Sequence, residues 1–386
     1  MFGFLSRNRH WPIALDVGSD SVKMLQLRRV GHIVSVNASA RWQFPREAAN
    51  DPVGRRQLAV PAVRELLRAG AFKGRRVISG LSCDQMTIKN VRLPHMPEHE
   101  MAEAVKWEAK ERFDFDPSRD QIAFLNAGQV RSGNETRDEL VLLIVQHETV
   151  NKHLEMLEAM GLEPDHIDGE PLALFRVYDR WLRRRADEQS VSVLADIGRS
   201  AARMVVARGR DIVFIKSIDI GGRRLTEAVA KQLGLEIHEA DELRQRLMRE
   251  HAEKTRQAAA EGQGELPIDW TIHDAIRGEV EALAREISLC LRYCAVTFRG
   301  LRPDKIVVTG GEAYDPAVVK LLNEHMHVEC SVGQPLRGID VSTVDLGADR
   351  RASLAEWTTC TGLAIRDIDF QGGINEVEHG EHRLSA

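Results

Sequence analysis

Two short stretches hold the residues best suited to chemistry. Asp16, Gly18, Ser19, Ser21 and Lys23 fall in ALDVGSDSVKMLQL (14–27), and Asp196, Gly198 and Ser200 fall in VSVLADIGRSAARMVVA (191–207). In each, a small polar cluster interrupts an apolar run. A glycine turn lets backbone N–H groups approach a phosphate, serine hydroxyls add donors, and a lysine adds charge. Aspartates at strand ends are the carboxylates that a hydrated Mg²⁺ takes beside phosphates. Each stretch alone also reads as a plain hairpin, with glycine supplying positive φ and aspartate bonding its own turn. Two copies in parallel contexts, with a third glycine turn at Gly310-Gly311, predict a Mg²⁺-nucleotide held between two lobes.

These turns need strands to hold them, and the surrounding pattern repeats after 180 residues. Asp16 and Gly18 match Asp196 and Gly198, Lys23 meets Arg203, and Met24 meets Met204. A further strand follows each device, over Ile33–Phe44 and Asp211–Ile220, after the turns Val30-Gly31-His32 and Arg208-Gly209-Arg210. A helix comes next in both halves: Val60–Ala69 ending at Gly70, and the run Leu225, Val229, Leu233 after Gly221-Gly222, ending at Gly234.

Two further blocks differ between the halves. Strand-like Val77–Ser82 and Met86–Leu93 lead to a helix opened by Pro97, with Met101, Val105, Ala109 and Phe113 on one face. Strands IAFLNAGQV and LVLLIVQ, separated by a polar loop RSGNETRD, then precede a helix that stops at Gly161, which makes an α+β insert. The second half carries a polar stretch from Glu236 to Thr271, then a long amphipathic helix bearing Ile276, Val280, Leu283, Ile287 and Leu291. Strand DKIVVTGGEA, a helix over Pro316–His325 and TTCTGLAIRD close the ordered pattern, and QGGINEVEHGEHRLSA reads as a frayed tail.

The 386 residues exceed one ordinary core. With 53 basic against 58 acidic side chains and no basic face interleaved with aromatics, the composition argues against nucleic acid. The five cysteines form no Cys-x-x-Cys pair and read as buried thiols of a reducing compartment, which points to the cytoplasm. The most apolar run, LVLLIV, falls far short of the ~20 residues that cross a bilayer. RWLRRRADE (180–188) reads as a solvated helix end, with contact to anionic lipid as the other reading. Trp107 and Phe113 read as core, with a peptide groove as the alternative, and His147, His153 and His166 suggest no metal site.

The order DVGSDSVKMLQL, DGEPLALFR, DIGRSAARM, DIGGRRLTEAVAKQLG and TGGEA resembles the actin-like ATPase superfamily. LPHMPEHEMAEAVKWEAKERFDFD, EMLEAMGLEPDHIDGEPLAL and the opening MFGFLSRN are similar to the PilM family of type IV pilus assembly, a relative of FtsA. The resemblance runs from Met1 to about Arg366. It implies an α/β, ribonuclease H-like duplicated, actin-like fold of two lobes. Lobe one covers 11–92 and 164–189 with an α+β insert over 93–163; lobe two covers 190–235 and 301–368 with a mainly helical insert over 236–300; 1–10 is a flexible lead-in and 369–386 a tail.

The resemblance further implies ATP and Mg²⁺ as cofactors. Gly18, Ser19, Ser21 and Lys23 match the first phosphate loop, and Gly198, Arg199 and Ser200 the second, with Asp16 and Asp196 as metal ligands. Glu170 matches the acidic position that orders the hydrolytic water or the metal, Gly221 and Gly222 the turn beside the phosphates, and Gly310 and Gly311 the turn against adenosine. Asp241 and Arg244 fall where relatives place side chains near ribose or base. The second loop departs from the family in carrying Arg199, Ala201, Ala202 and Arg203 where small hydroxyl or amide residues are usual, which predicts weak or absent ATPase activity. As an alternative, Arg199 or Arg203 contacts a phosphate directly.

The implied function is that of a cytoplasmic component of pilus, type II secretion or competence machinery. It would dock on the cytoplasmic N-terminal peptide of a PilN-like inner-membrane partner and meet other pilus assembly components, with nucleotide as switch or structural ligand. Its membrane association would be indirect, through that partner. A sugar-kinase-like phosphotransferase and an FtsA-like filament-forming tether are the alternatives. The first lacks an acidic residue in a convincing substrate pocket, and the second lacks a C-terminal amphipathic helix.

Overall fold

The alternating apolar residues after Trp11 fold as an antiparallel meander, and both of its faces are covered. The computed structural model describes residues 9–368 except 47, 49–50, 133–134, 183, 262–269, 299, 301, 345 and 347–352. The tail expected over 369–386 and positions 1–8 of the expected lead-in lie outside the described residues. Two compact units emerge, one of residues 1–189, 205–215 and 334–386, the other of 190–204 and 216–333.

In the first unit, β1 (Arg9–His10), β2 (Ile13–Val17), β3 (Ser21–Val30), β4 (Ile33–Gln43) and β5 (Arg76–Leu81) build one sheet. Arg9 and His10, expected within the lead-in, instead pair antiparallel with Arg29 and Arg28. Between β4 and β5 lies α1 (Pro52–Ala69). It begins two turns before the expected Val60 because Asp51 caps it, accepting from Val53 N at 3.0 Å, and Pro52 sits where no N–H is needed.

An α+β insert follows as expected, but it starts earlier than the expected position 93, because β6 (Thr87–Pro94) joins its sheet. Strands β6, β7 (Asp120–Ser132) and β8 (Glu135–Gln146) form that sheet in the order β6-β8-β7. Between β6 and β7, α2 (Glu98–Phe113) buries Met101, Val105 and Ala109 against Val91, Leu93, Leu140 and Leu142. The polar stretch expected as a loop is largely drawn into the β7–β8 ladder, which continues out to Ser132 opposite Glu135. Trp107, expected in the core, is 64% exposed on α2.

Next, α3 (His147–Ala159) leads to β9 (Glu163–Gly169) and α4 (Glu170–Asp179). Strands β2 and β5, and β5 and β9, pair parallel, so the first sheet reads β4-β3-β2-β5-β9 with β1 beside β2 along β3. Side chains alternate across it. Ile13, Leu15, Val22 and Met24 pack with α1 and α3, while Ala14, Leu25, Leu27 and Ile78 pack with α4 and the C-terminal segment.

The remaining strands are β10 (Val191–Ile197), β11 (Ala202–Arg208), β12 (Asp211–Ile218), β13 (Lys305–Thr309) and β14 (Cys330–Val332). Their order, β12-β11-β10-β13-β14, repeats that of β4-β3-β2-β5-β9, with β10, β13 and β14 again parallel. The turns β3–β4 and β11–β12 correspond too, with Gly31 at φ +63° and Gly209 at φ +56°. Helices α5 (Gly222–Leu233), α6 (Ile237–Glu261), α7 (Trp270–Thr297) and α8 (Pro316–His325) complete the second unit, and α9 (Thr358–Ala364) returns to the first. The polar stretch after Glu236 is thus mostly one helix, α6. No helix among the described residues is long and apolar enough to cross a membrane.

Candidate nucleotide-binding hairpins

The β2–β3 turn is a two-residue hairpin, closed by Gly18 N donating to Ser21 O at 3.0 Å with Ser19 and Asp20 at its tip. Asp16 stands directly opposite Lys23 across the ladder. Gly18 does not take positive φ, which removes the expected conformational reason for it; a Cβ there would meet Ser21 O alone, at 3.3 Å. Glycine therefore spares the turn a tight contact with its own carbonyl. The Ser21 hydroxyl is buried and makes no hydrogen bond, and a buried hydroxyl left unmatched favours a partner that completes it. Behind the turn, burial and the charge of Asp16 push the Cys360 thiol up from its ordinary pKa.

The β10–β11 turn has the same construction, with Gly198 N donating to Ala201 O at 3.1 Å and Arg199 and Ser200 at its tip. Its surroundings differ. Asp196 Oδ2 lies 3.3 Å from the Arg203 guanidinium, and Asp196 Oδ1 accepts from Thr309 Oγ1 at 2.9 Å. A Cβ on Gly198 would fall 2.7 Å from Arg203 Nη1, so the guanidinium covers the turn. Gly221 lies against the hairpin backbone, where a Cβ would come within 2.8 Å of Gly198 O, Ala201 N and Arg199 O. Gly222 N and Arg223 N donate to Gly198 O and Arg199 O at 3.0 and 2.8 Å, so the first N–H groups of α5 find partners in the hairpin.

Gly310 takes φ +85° with Ile197 backbone atoms where a Cβ would stand, whereas Gly311 opens onto empty space. Asp241 and Arg244 are drawn into ion pairs within this unit. Arg199 bonds Asp241 at 3.3 Å. Arg244, 3% exposed, reaches Glu312 at 2.6 Å and Asp315 at 2.8 Å, and donates to Gly222 O and Thr226 Oγ1 at 3.2 Å. Burial pushes the Glu312 carboxyl up from its ordinary pKa, against the opposing charge of Arg244. Sequence reasoning missed Glu312, although an acid directly after the glycine pair was the available signal. Its carboxylate occupies the space over Gly222.

Glu170 opens α4, and its Oε2 accepts from Cys83 N at 3.2 Å. The carboxylate thereby anchors the short 3₁₀ turn Cys83–Gln85 to the start of α4, where a negative charge also suits the helix N-terminus. Nearby, Asp168 is buried between Arg176 and Arg366 at 2.8 and 2.9 Å. Burial alone would raise its pKa, but the two guanidiniums hold it below the usual carboxylate range. Arg180, expected on a solvated helix end, is buried and donates to Pro335 O and Arg337 O at 2.7 Å.

The residues present fit phosphate better than metal. Taken singly, the first hairpin offers the Ser21 hydroxyl to an oxyanion, and in the second unit Gly311 leaves open space. The Mg²⁺ expected on Asp196 finds both carboxylate oxygens engaged and an arginine alongside. Asp165, His166 and Asp367 also bring possible ligand atoms together, but Arg76 holds Asp165 through two bonds at 2.6 and 3.2 Å.

The profile of the family described as type IV pilus assembly protein PilM matches residues 14–368. The chain belongs to the PilM family. Among solved structures it is similar to the PilM-PilN type IV pilus biogenesis complex, at 22% identity and TM-score 0.72, covering 92% of this chain and 98% of that one. It is also similar to the ethanolamine utilization protein EutJ from Carboxydothermus hydrogenoformans, at 14% identity and TM-score 0.52, covering 92% and 89%. MreB 5 of Spiroplasma citri, solved with AMPPNP, matches at 11% identity and TM-score 0.47, covering 93% and 96%. The fold is that of the actin-like ATPases, an α/β architecture whose two larger sheets share one strand order.

Proposed function

We propose that this chain is a type IV pilus assembly component that docks on the cytoplasmic N-terminal peptide of a PilN-like inner-membrane protein. The family match over residues 14–368 carries the reading, and the likeness to the PilM-PilN complex supplies the partner's class. The peptide would lodge against lobe one and its insert over 93–163. Exposed Trp107 on α2 offers that insert an apolar contact, of the kind that anchors interfaces. The chain would work in the cytoplasm and reach the membrane through its partner.

An adenine nucleotide acts in this reading as a switch or a structural ligand. Each hairpin by itself offers donors to phosphate, Ser19, Ser21 and Lys23 in the first unit and Arg199, Ser200 and Arg203 in the second, where Gly311 also leaves room for an adenosine. When bound, such a ligand supplies a polyanion and a base that stabilise whichever conformation binds them better. Turnover should be slow, because Glu170 already anchors Cys83. Isothermal titration with a synthetic peptide of the partner's N-terminus tests the docking. Saturable binding that weakens in Trp107→Ala supports it, and absence of binding to the intact chain contradicts it.

A further inference from the structure

We propose that Arg203 stands in for a divalent cation at the second hairpin, so that a nucleotide is held there through the guanidinium and without Mg²⁺. The inference rests on the reading that these hairpins bind nucleotide, and concerns how the second one does so.

Three observations carry it. Asp196, the carboxylate expected to hold the metal, has one oxygen on Thr309 Oγ1 at 2.9 Å and the other 3.3 Å from Arg203 Nη1. The side chains of that pair are only 12% and 8% exposed, and a guanidinium cannot shed its proton to make way for a metal. Mg²⁺ keeps a near-octahedral shell of oxygens, several of them waters; a fixed cation beside its carboxylate denies it both charge and room.

Second, Arg203 occupies a position that the duplication has kept cationic. In the first hairpin Asp16 faces Lys23 across the ladder, and the second, closed by the same Gly–N to carbonyl bond, brings Arg203 to Asp196. Third, the guanidinium lies over the turn itself, 2.7 Å from where a Gly198 Cβ would stand. Ala201 and Ala202 beside it offer no hydroxyl. The planar fork, held by Asp196 at Nη1, replaces the lost hydroxyls, and guanidinium recognises phosphate through paired hydrogen bonds. Guanidinium and glycine turn are thus the donors of a prebuilt oxyanion site, and the Asp196 carboxylate holds the guanidinium in place.

Equilibrium titration of the full chain with a fluorescent ATP analogue, in excess Mg²⁺ and in EDTA, decides the matter. The expected result is a dissociation constant that changes by less than about threefold between the two conditions. Arg203→Ser should weaken binding in EDTA by about tenfold or more and make it Mg²⁺-dependent, because Asp196 is released. Arg203→Lys keeps the charge without the fork and should fall between. Wild-type binding that collapses in EDTA would overturn the inference while leaving nucleotide binding intact. Absence of binding in both conditions would overturn the underlying reading itself. The wild-type comparison needs no variant to fold.

Discussion

Arg244 illustrates how a residue whose position suggests ligand contact can serve its own fold. It is buried against Glu312 and Asp315, two carboxylates that need it. Arg244→Met should lower the unfolding free energy by about 3–5 kcal/mol in urea titration, since it leaves buried carboxylates without their cation. Adding Glu312→Gln should recover part of the loss; a loss under about 1 kcal/mol would show that the cluster carries little stability. His153 is the matching case for pH. Burial first, and the charge of Arg56 second, lower its pKa from 6.5 to about 4. The Ser79 hydroxyl donates to Leu15 O, which leaves its oxygen for His153 Nε2 at 3.0 Å. The unfolded chain therefore binds a proton that the folded chain refuses. Stability is full above pH 6.5 and falls as pH drops toward about 4, by up to about 3 kcal/mol. Denaturant midpoints of the wild type and His153→Gln should converge across that window; parallel curves would contradict the assignment. Asp16, Gly18, Asp196 and Gly198 were legible in the sequence because turn chemistry is local. The partners of Arg244 were not, because Glu312 and Asp315 lie 68 and 71 positions away.

At the level of elements, backbone proximity explains glycines that turn chemistry does not. In the first unit α9 crosses α4 so closely that a Cβ on Gly362 would stand against Ala173 O, while Gly278 on α7 faces open space. Gly362→Ala should destabilise by about 1–3 kcal/mol through overpacking, and Gly278→Ala should stabilise by about 0.5–1 kcal/mol through helix propensity. Thermal unfolding of the two variants tests both signs, and equal shifts would contradict the packing argument. The strands and amphipathic helices were readable from periodicity. A start at Val60 misses the first two turns of α1; the helix runs from Pro52 through Pro61. The polar stretch after Glu236 hid most of α6, whose composition gives few apolar positions to count. Trp107 ran against expectation because its aromatic type outweighed its position: the spacing of Met101, Val105 and Ala109 marks the face that meets the sheet, and Trp107 lies off it.

On the scale of the whole molecule, the duplicated sheet order is the feature the sequence announced most clearly. The 180-residue echo led from paired turns to paired sheets, and the family profile matches nearly the same span as the resemblance read from motifs. Partner docking has no such internal echo, since it depends on a second chain. If the chain reaches the membrane through a PilN-like protein, vesicles carrying that full-length protein should recruit it in flotation. Vesicles without the protein, or with a version lacking its cytoplasmic N-terminal peptide, should leave it unbound. Recruitment by bare vesicles to the same extent, or undiminished recruitment by the truncated partner, would contradict the account.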